Sequence, residues 1–97
     1  MRIISKKIIR EFCECFPDAT KSLQAWYADA KQANWGDPND IKSIYKNASI
    51  VSNNRVVFNI KGNNYRLVVA INYKFSLVYI RFIGTHKEYD KIDVTKI

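Results

Sequence analysis

His86 is the only histidine in this 97-residue chain. It stands in Thr85-His86-Lys87-Glu88-Tyr89-Asp90, directly after the apolar run Leu77–Gly84. Histidine exchanges a proton nearer neutral pH than other side-chain types, so it is the first candidate for a general acid or base. Arg66, in Tyr65-Arg66-Leu67, presents a planar fork that matches phosphate oxygens and stays charged throughout. Lys61, Asn63, Arg81 and Lys87 are candidate contacts to phosphate or RNA. Tyr89 can stack on a base or share a proton transfer, and Asp90 can orient Tyr89, His86 or a neighbouring lysine. This set suits RNA cleavage in which the 2′-hydroxyl attacks the adjacent phosphate. That reaction needs a base, an acid for the leaving 5′-oxygen and a cation for the charge developing on phosphorus. It needs no metal or cofactor, and it would leave a 2′,3′-cyclic phosphate. One histidine serves only one side of the proton transfer, so the other group must be tyrosine, lysine, a carboxylate or a group on a bound partner.

Each residue also has an ordinary role open to it. A lone histidine after a strand can simply lie at the surface, and Arg66 can pair with a carboxylate on the sheet. Arg81 lies among alternating apolar residues, which suits a snorkelling or ion-paired side chain as well as an RNA contact. Tyr89 can cover the end of the core. Lys6, Lys7 and Arg10 read as a solvated helix face, and Trp26, Tyr27 and Trp35 as packing residues.

The formal charge is +7, from 16 basic and 9 acidic residues. It is uneven: residues 1–48 hold eight basic and six acidic groups (net +2), residues 49–97 eight and three (net +5). A basic half favours polyanionic partners, chiefly nucleic acid or a ribosome, without separating these from an acidic protein. Length and composition (47% hydrophobic) predict one packed domain over residues 1–97. No apolar run approaches the roughly 20 residues that span a bilayer, and no signal peptide is visible, so the expectation is a cytoplasmic protein that binds no membrane. Cys13 and Cys15 are two apart in a helical pattern and point to different faces, so they should not bond each other. No cysteine–histidine cluster offers metal ligands, and no metal is expected.

The elements that must position these residues follow from periodicity. Ile4, Ile8, Phe12 and Phe16 recur at four-residue steps with Ile9 and Cys13 beside them, which predicts an amphipathic helix ending at Pro17. Met1–Ile4 can form a short edge strand before it. Asp18 or Thr20 can cap a second helix with Leu23, Trp26, Tyr27, Ala30 and Ala33 on one stripe. Asp37-Pro38-Asn39-Asp40 opens a third, with Ile41, Ile44 and Tyr45 on its apolar side. From about residue 49 the period becomes two, and Ile50–Val51, Arg55–Ile60, Tyr65–Tyr73 and Leu77–Thr85 read as three or four antiparallel strands. The fold class is α+β, helices first and then a small, mainly antiparallel sheet. In the central strand Tyr65, Leu67, Val69, Ile71 and Tyr73 suit a face packed by helices, and the Arg66 face suits a ligand. In the last strand alternation groups His86 with Val78, Ile80, Phe82 and Gly84, and Arg81 with Leu77, Tyr79 and Ile83, though a glycine at 84 weakens the pattern beyond it.

Two stretches carry a family resemblance: Phe58-Asn59 with Gly62-Asn63 and Tyr65-Arg66-Leu67, and Thr85-His86 with Tyr89-Asp90. The chain resembles HigB-type toxins of bacterial type II toxin–antitoxin modules, in the RelE/ParE superfamily, along essentially its whole length. The resemblance implies a RelE-like toxin fold with helices on one side of a sheet and a basic concave surface on the other. It implies a ribosome-dependent mRNA endonuclease acting in the ribosomal A site of the 70S ribosome. It also implies neutralisation by a HigA-like helix-turn-helix antitoxin, through which the complex would bind operator DNA. Carried onto this sequence, His86, Arg66 and Tyr89 are the candidate catalytic residues. Two other readings stay open from sequence: a ParE-like inhibitor of DNA gyrase, and a basic module that binds RNA or protein without turnover.

Overall fold

The computed structural model describes residues 1–97. In chain order the elements are β1 (Arg2–Ile4), α1 (Lys6–Cys15), a 3-10 turn (Pro17–Ala19), α2 (Thr20–Gln32), α3 (Pro38–Ile44), β2 (Ser49–Val51), β3 (Arg55–Ile60), β4 (Tyr65–Asn72), β5 (Leu77–Thr85) and α4 (His86–Tyr89). The sheet runs β1-β5-β4-β3-β2, with β1 parallel to β5 and the other pairs antiparallel. The arrangement is α+β with a mixed five-stranded sheet. The first strand joins a meander of four, because α1 and α2 carry the chain across the sheet between them.

The helices form largely where periodicity puts them, with four corrections. Ile4 belongs to β1, and Ser5 at φ 77° separates it from α1. Within α1 the buried side is set by Ile9, with Phe12, Cys13 and Phe16 against the core, while Ile8 is 37% exposed. Four-residue steps drift about 40° each around a helix with 3.6 residues per turn, so a straight i, i+4 stripe cannot all stay inside. At the start of α2 neither Asp18 nor Thr20 caps: the cap position is Ala19, with no side-chain hydrogen bond. The residue before Pro17 is driven out of helical geometry, Phe16 at φ −130°, and the 3-10 turn that follows sends Asp18 toward the sheet. In α3 the Asp37 carboxylate accepts from the Asp40 amide at 3.2 Å as the sequence suggests, and Ile41 is buried. Ile44 points out at 66% exposure, and Tyr45 turns inward against Phe58 at 5.1 Å between ring centres.

The main core lies between the helices and one sheet face. Leu23, Trp26, Ala30 and Ile41 meet Val56, Phe58, Ile60, Tyr65, Leu67, Val69, Ile71, Val78 and Ile80. Phe58 is its centre, with Trp26, Trp35 and Tyr45 rings around it. No helix is long and apolar enough to cross a membrane. Cys13 and Cys15 are both free, as their spacing predicts.

Strict alternation fails in β5. Val69 pairs with Ile80 but Val68 with Phe82, so Arg81 is the extra residue of a bulge. Val78, Ile80 and Ile83 all meet the helical core, whereas Phe82 and Gly84 lie opposite Val68 and Arg66 on the other face. The bulge thus turns the end of β5 toward Arg66. On that second face Val57, Val68 and Ala70 are buried outside the main core. The chain after α4 runs back to the start of β3, where Arg55 donates to the Ile97 carbonyl oxygen at 2.6 and 3.1 Å and Asn53 to Thr95 at 3.0 Å.

Candidate active site

Arg66 is the second residue of β4 and lies in register with Asn59 of β3 and Gly84 of β5. Its Nη1 donates to the carbonyls of Asn63 at 3.0 Å and Tyr65 at 3.2 Å. No carboxylate lies within salt-bridge distance, so the structural reading of Arg66 as an ion-paired arginine is set aside. Nε and Nη2 carry no protein partner, which leaves the fork open toward a phosphate. Asn59, absent from the sequence candidates, stands beside Arg66 and donates to Asn63 Oδ1 at 3.4 Å. The available signal was its polar type at the odd position between buried Phe58 and Ile60.

Two residues beyond Gly84, the strand becomes α4. Thr85 accepts from the Glu88 amide at 3.2 Å, and Glu88 Oε1 accepts from the Thr85 amide at 2.9 Å, a reciprocal capping box. This fixes the turn that carries His86 and Tyr89, and α4 lies against β4 and β5. His86 is about half exposed, and its Nδ1 is 3.4 Å from Asp90 Oδ2. Among the alternatives open to Asp90, its contact is with His86. Gly84 leaves room for two side chains here: a Cβ would stand 2.5 Å from the Phe82 ring and 3.2 Å from Glu88 Oε1, so one of them would have to move.

The other candidates divide. Asn63 belongs to the site as a backbone acceptor for Arg66 and a side-chain acceptor for Asn59. Lys87 is exposed on α4 beside His86. Tyr89 is half-buried on the same turn. Lys61 is engaged elsewhere, 3.0 Å from Asp18 on the helical side, so its charge is partly spent. Arg81 projects from the bulge over the Tyr79 ring at 5.4 Å, four strand positions from Thr85, and forms no ion pair. A cavity of about 300 Å³ opens between Tyr45, Lys46, Asn47, Asn59 and Gly62, next to the β3–β4 turn. A larger one of about 600 Å³ lies between α1 and α2, away from all of these residues.

Residues 19–92 match the model of the HigB toxin family, described as the RelE-like toxic component of a toxin–antitoxin system. The chain belongs to this family. It is 28% identical over 94 residues to an mRNA interferase HigB of Escherichia coli O6:H1, covering 95% of this chain and 91% of that protein. It is 27% identical over 92 residues to an mRNA interferase HigB of Shigella flexneri, covering 93% and 88%. Membership in the HigB family implies an antitoxin partner.

Proposed function

We propose that this HigB-family protein is a cytoplasmic, ribosome-dependent mRNA endonuclease, a single toxin domain over residues 1–97. The observation that carries the reading is the unpaired face of the Arg66 guanidinium, in register with Gly84, two residues before His86. The relatives named mRNA interferase support the same activity. In the reaction the 2′-oxygen bonds to phosphorus, the P–O5′ bond breaks, and a 2′,3′-cyclic phosphate and a 5′-hydroxyl result. Arg66 neutralises charge on the non-bridging oxygens. Asp90 beside Nδ1 favours the tautomer with its proton there, which leaves the Nε2 lone pair to accept the 2′-hydroxyl proton. Tyr89 positions a base, Lys87 and Asn63 contact RNA, and a tyrosine, lysine or ribosomal group returns a proton to O5′. Lys61 and Arg81 serve as outer positive field. The antitoxin is HigA-like, and operator DNA is bound through it.

The test uses ribosomes programmed with a defined message. Wild-type protein is expected to release fragments ending in a 2′,3′-cyclic phosphate, and His86→Ala should lower that rate by roughly 10²-fold or more. Linear 3′-phosphate or 3′-hydroxyl primary products would contradict the mechanism. Intact message with reduced DNA supercoiling would favour gyrase inhibition, and intact message at saturating protein a non-catalytic module.

A further inference from the structure

On the face of the sheet opposite Arg66, a single carboxylate holds both ends of the β3–β4 turn. Asp18, on the 3-10 turn before α2, accepts from the Tyr65 hydroxyl at 2.6 Å and from Lys61 Nζ at 3.0 Å. These two residues bracket the β3–β4 turn, in which Lys61 and Gly62 both take left-handed backbone, φ 51° and 65°. The Tyr65 ring is held edge-on by Phe12 at 5.3 Å and Phe16 at 5.5 Å, so its hydroxyl has little freedom to seek another partner. Arg66 is the next residue, and its guanidinium is steered by the carbonyls of Tyr65 and Asn63 inside the same bracketed turn. One carboxylate thus ties the 3-10 turn to both ends of the loop that aims Arg66. A lysine in left-handed backbone carries a conformational cost, so the turn keeps this shape only while its contacts outweigh that cost, and the Asp18 contact is one of them.

We propose that Asp18 is a positioning residue for Arg66, holding Tyr65 and Lys61 so that the β3–β4 turn presents the guanidinium to the scissile phosphate. The inference rests on the endonuclease reading above. Asp18 touches no substrate. Its effect belongs on the rate of the chemical step, because a small displacement of a charge-stabilising group costs rate far more than it costs binding.

Two measurements test it. The first is single-turnover cleavage of message on programmed ribosomes, alongside ribosome affinity and thermal stability. Asp18→Ala should slow cleavage by about tenfold to 10²-fold while affinity changes by no more than about twofold. The double variant Tyr65→Phe with Lys61→Met leaves Asp18 in place and should show at least that loss, the Lys61 charge being gone as well, and adding Asp18→Ala to it should change nothing further. Asp18→Asn, whose amide oxygen can still accept from Tyr65, should fall between. The second measurement needs no activity: the Arg66 Nε–Hε resonance followed by NMR relaxation should show a more mobile side chain in Asp18→Ala and in the double variant. Wild-type cleavage rates in folded Asp18→Ala, or an unchanged Arg66 resonance, would overturn the proposal. A wild-type protein that cuts no message on ribosomes would overturn the endonuclease reading instead, which the NMR arm does not depend on.

Discussion

Arg66 is open to a ligand because it lacks the partner a sheet arginine usually finds. Its two hydrogen bonds go to backbone carbonyls, which orient the fork without neutralising it. Arg66→Lys keeps the charge but loses the planar fork, so cleavage should fall substantially yet stay above that of Arg66→Ala, measured as single-turnover rates. Equal rates for lysine and arginine would reduce the role of residue 66 to charge alone. Gly84 is the other decisive position. An added methyl would meet the Phe82 ring and the Glu88 carboxylate together, and the latter is tied into the capping box. Gly84→Ala is expected to destabilise by about 1–3 kcal/mol, read from urea unfolding midpoints at constant slope. Sequence marked His86, Arg66 and Asn63 through residue type and motif. Asn59 escaped because its place beside Arg66 is set by a cross-strand register that one strand does not reveal, and Asp18 because a cap and a long-range clamp use the same residue type.

The β5–α4 junction turns a strand into a carrier for His86. Its capping box satisfies amides that the first turn of α4 would otherwise leave without partners. Thr85→Ala should therefore cost about 0.5–2 kcal/mol, with faster hydrogen exchange at the Glu88 amide and a lower cleavage rate as His86 loosens. Unchanged exchange there would mean that α4 is held by packing alone. Helices and strands were legible in the sequence because their periods are local. The bulge at Arg81 was not, since a bulge inserts one residue without altering the type pattern of its neighbours. It reverses the expected grouping of Val78 and Ile80 with Phe82 and Gly84, and so decides which face the end of β5 joins. Ile8 escaped because four-residue steps drift around the helix, and Ile44 because the sequence of a two-turn helix does not show which of its apolar residues meets the sheet.

Across the whole molecule, the Asp18 clamp couples stability to pH. The Tyr65 hydroxyl first, and Lys61 second, hold the Asp18 carboxyl below its ordinary value of 3.8, while the bond to Asp18 pushes the Tyr65 hydroxyl above 10.0. A carboxyl depressed in the folded state stabilises fully above its unfolded value and loses that contribution as pH falls through the folded one. A raised tyrosine behaves conversely, stabilising below its ordinary value and losing the contribution as pH rises through the folded one. Thermal melts should show wild type ahead of Asp18→Asn near neutrality, with the gap closing below about pH 4. A constant gap down the acid limb would show that Asp18 is not the titrating group. The net charge of +7 adds a second whole-molecule property: ribosome or RNA affinity should weaken as salt rises. On the proposed mechanism Arg66 and His86 act together on translated message, which can be checked by mapping message 5′ ends in cells expressing wild type, Arg66→Ala or His86→Ala at equal folded levels. New ends should arise within translated frames for wild type, be lost when translation initiation is blocked and be absent in both variants. Wild-type cut sites persisting in either variant would contradict the mechanism.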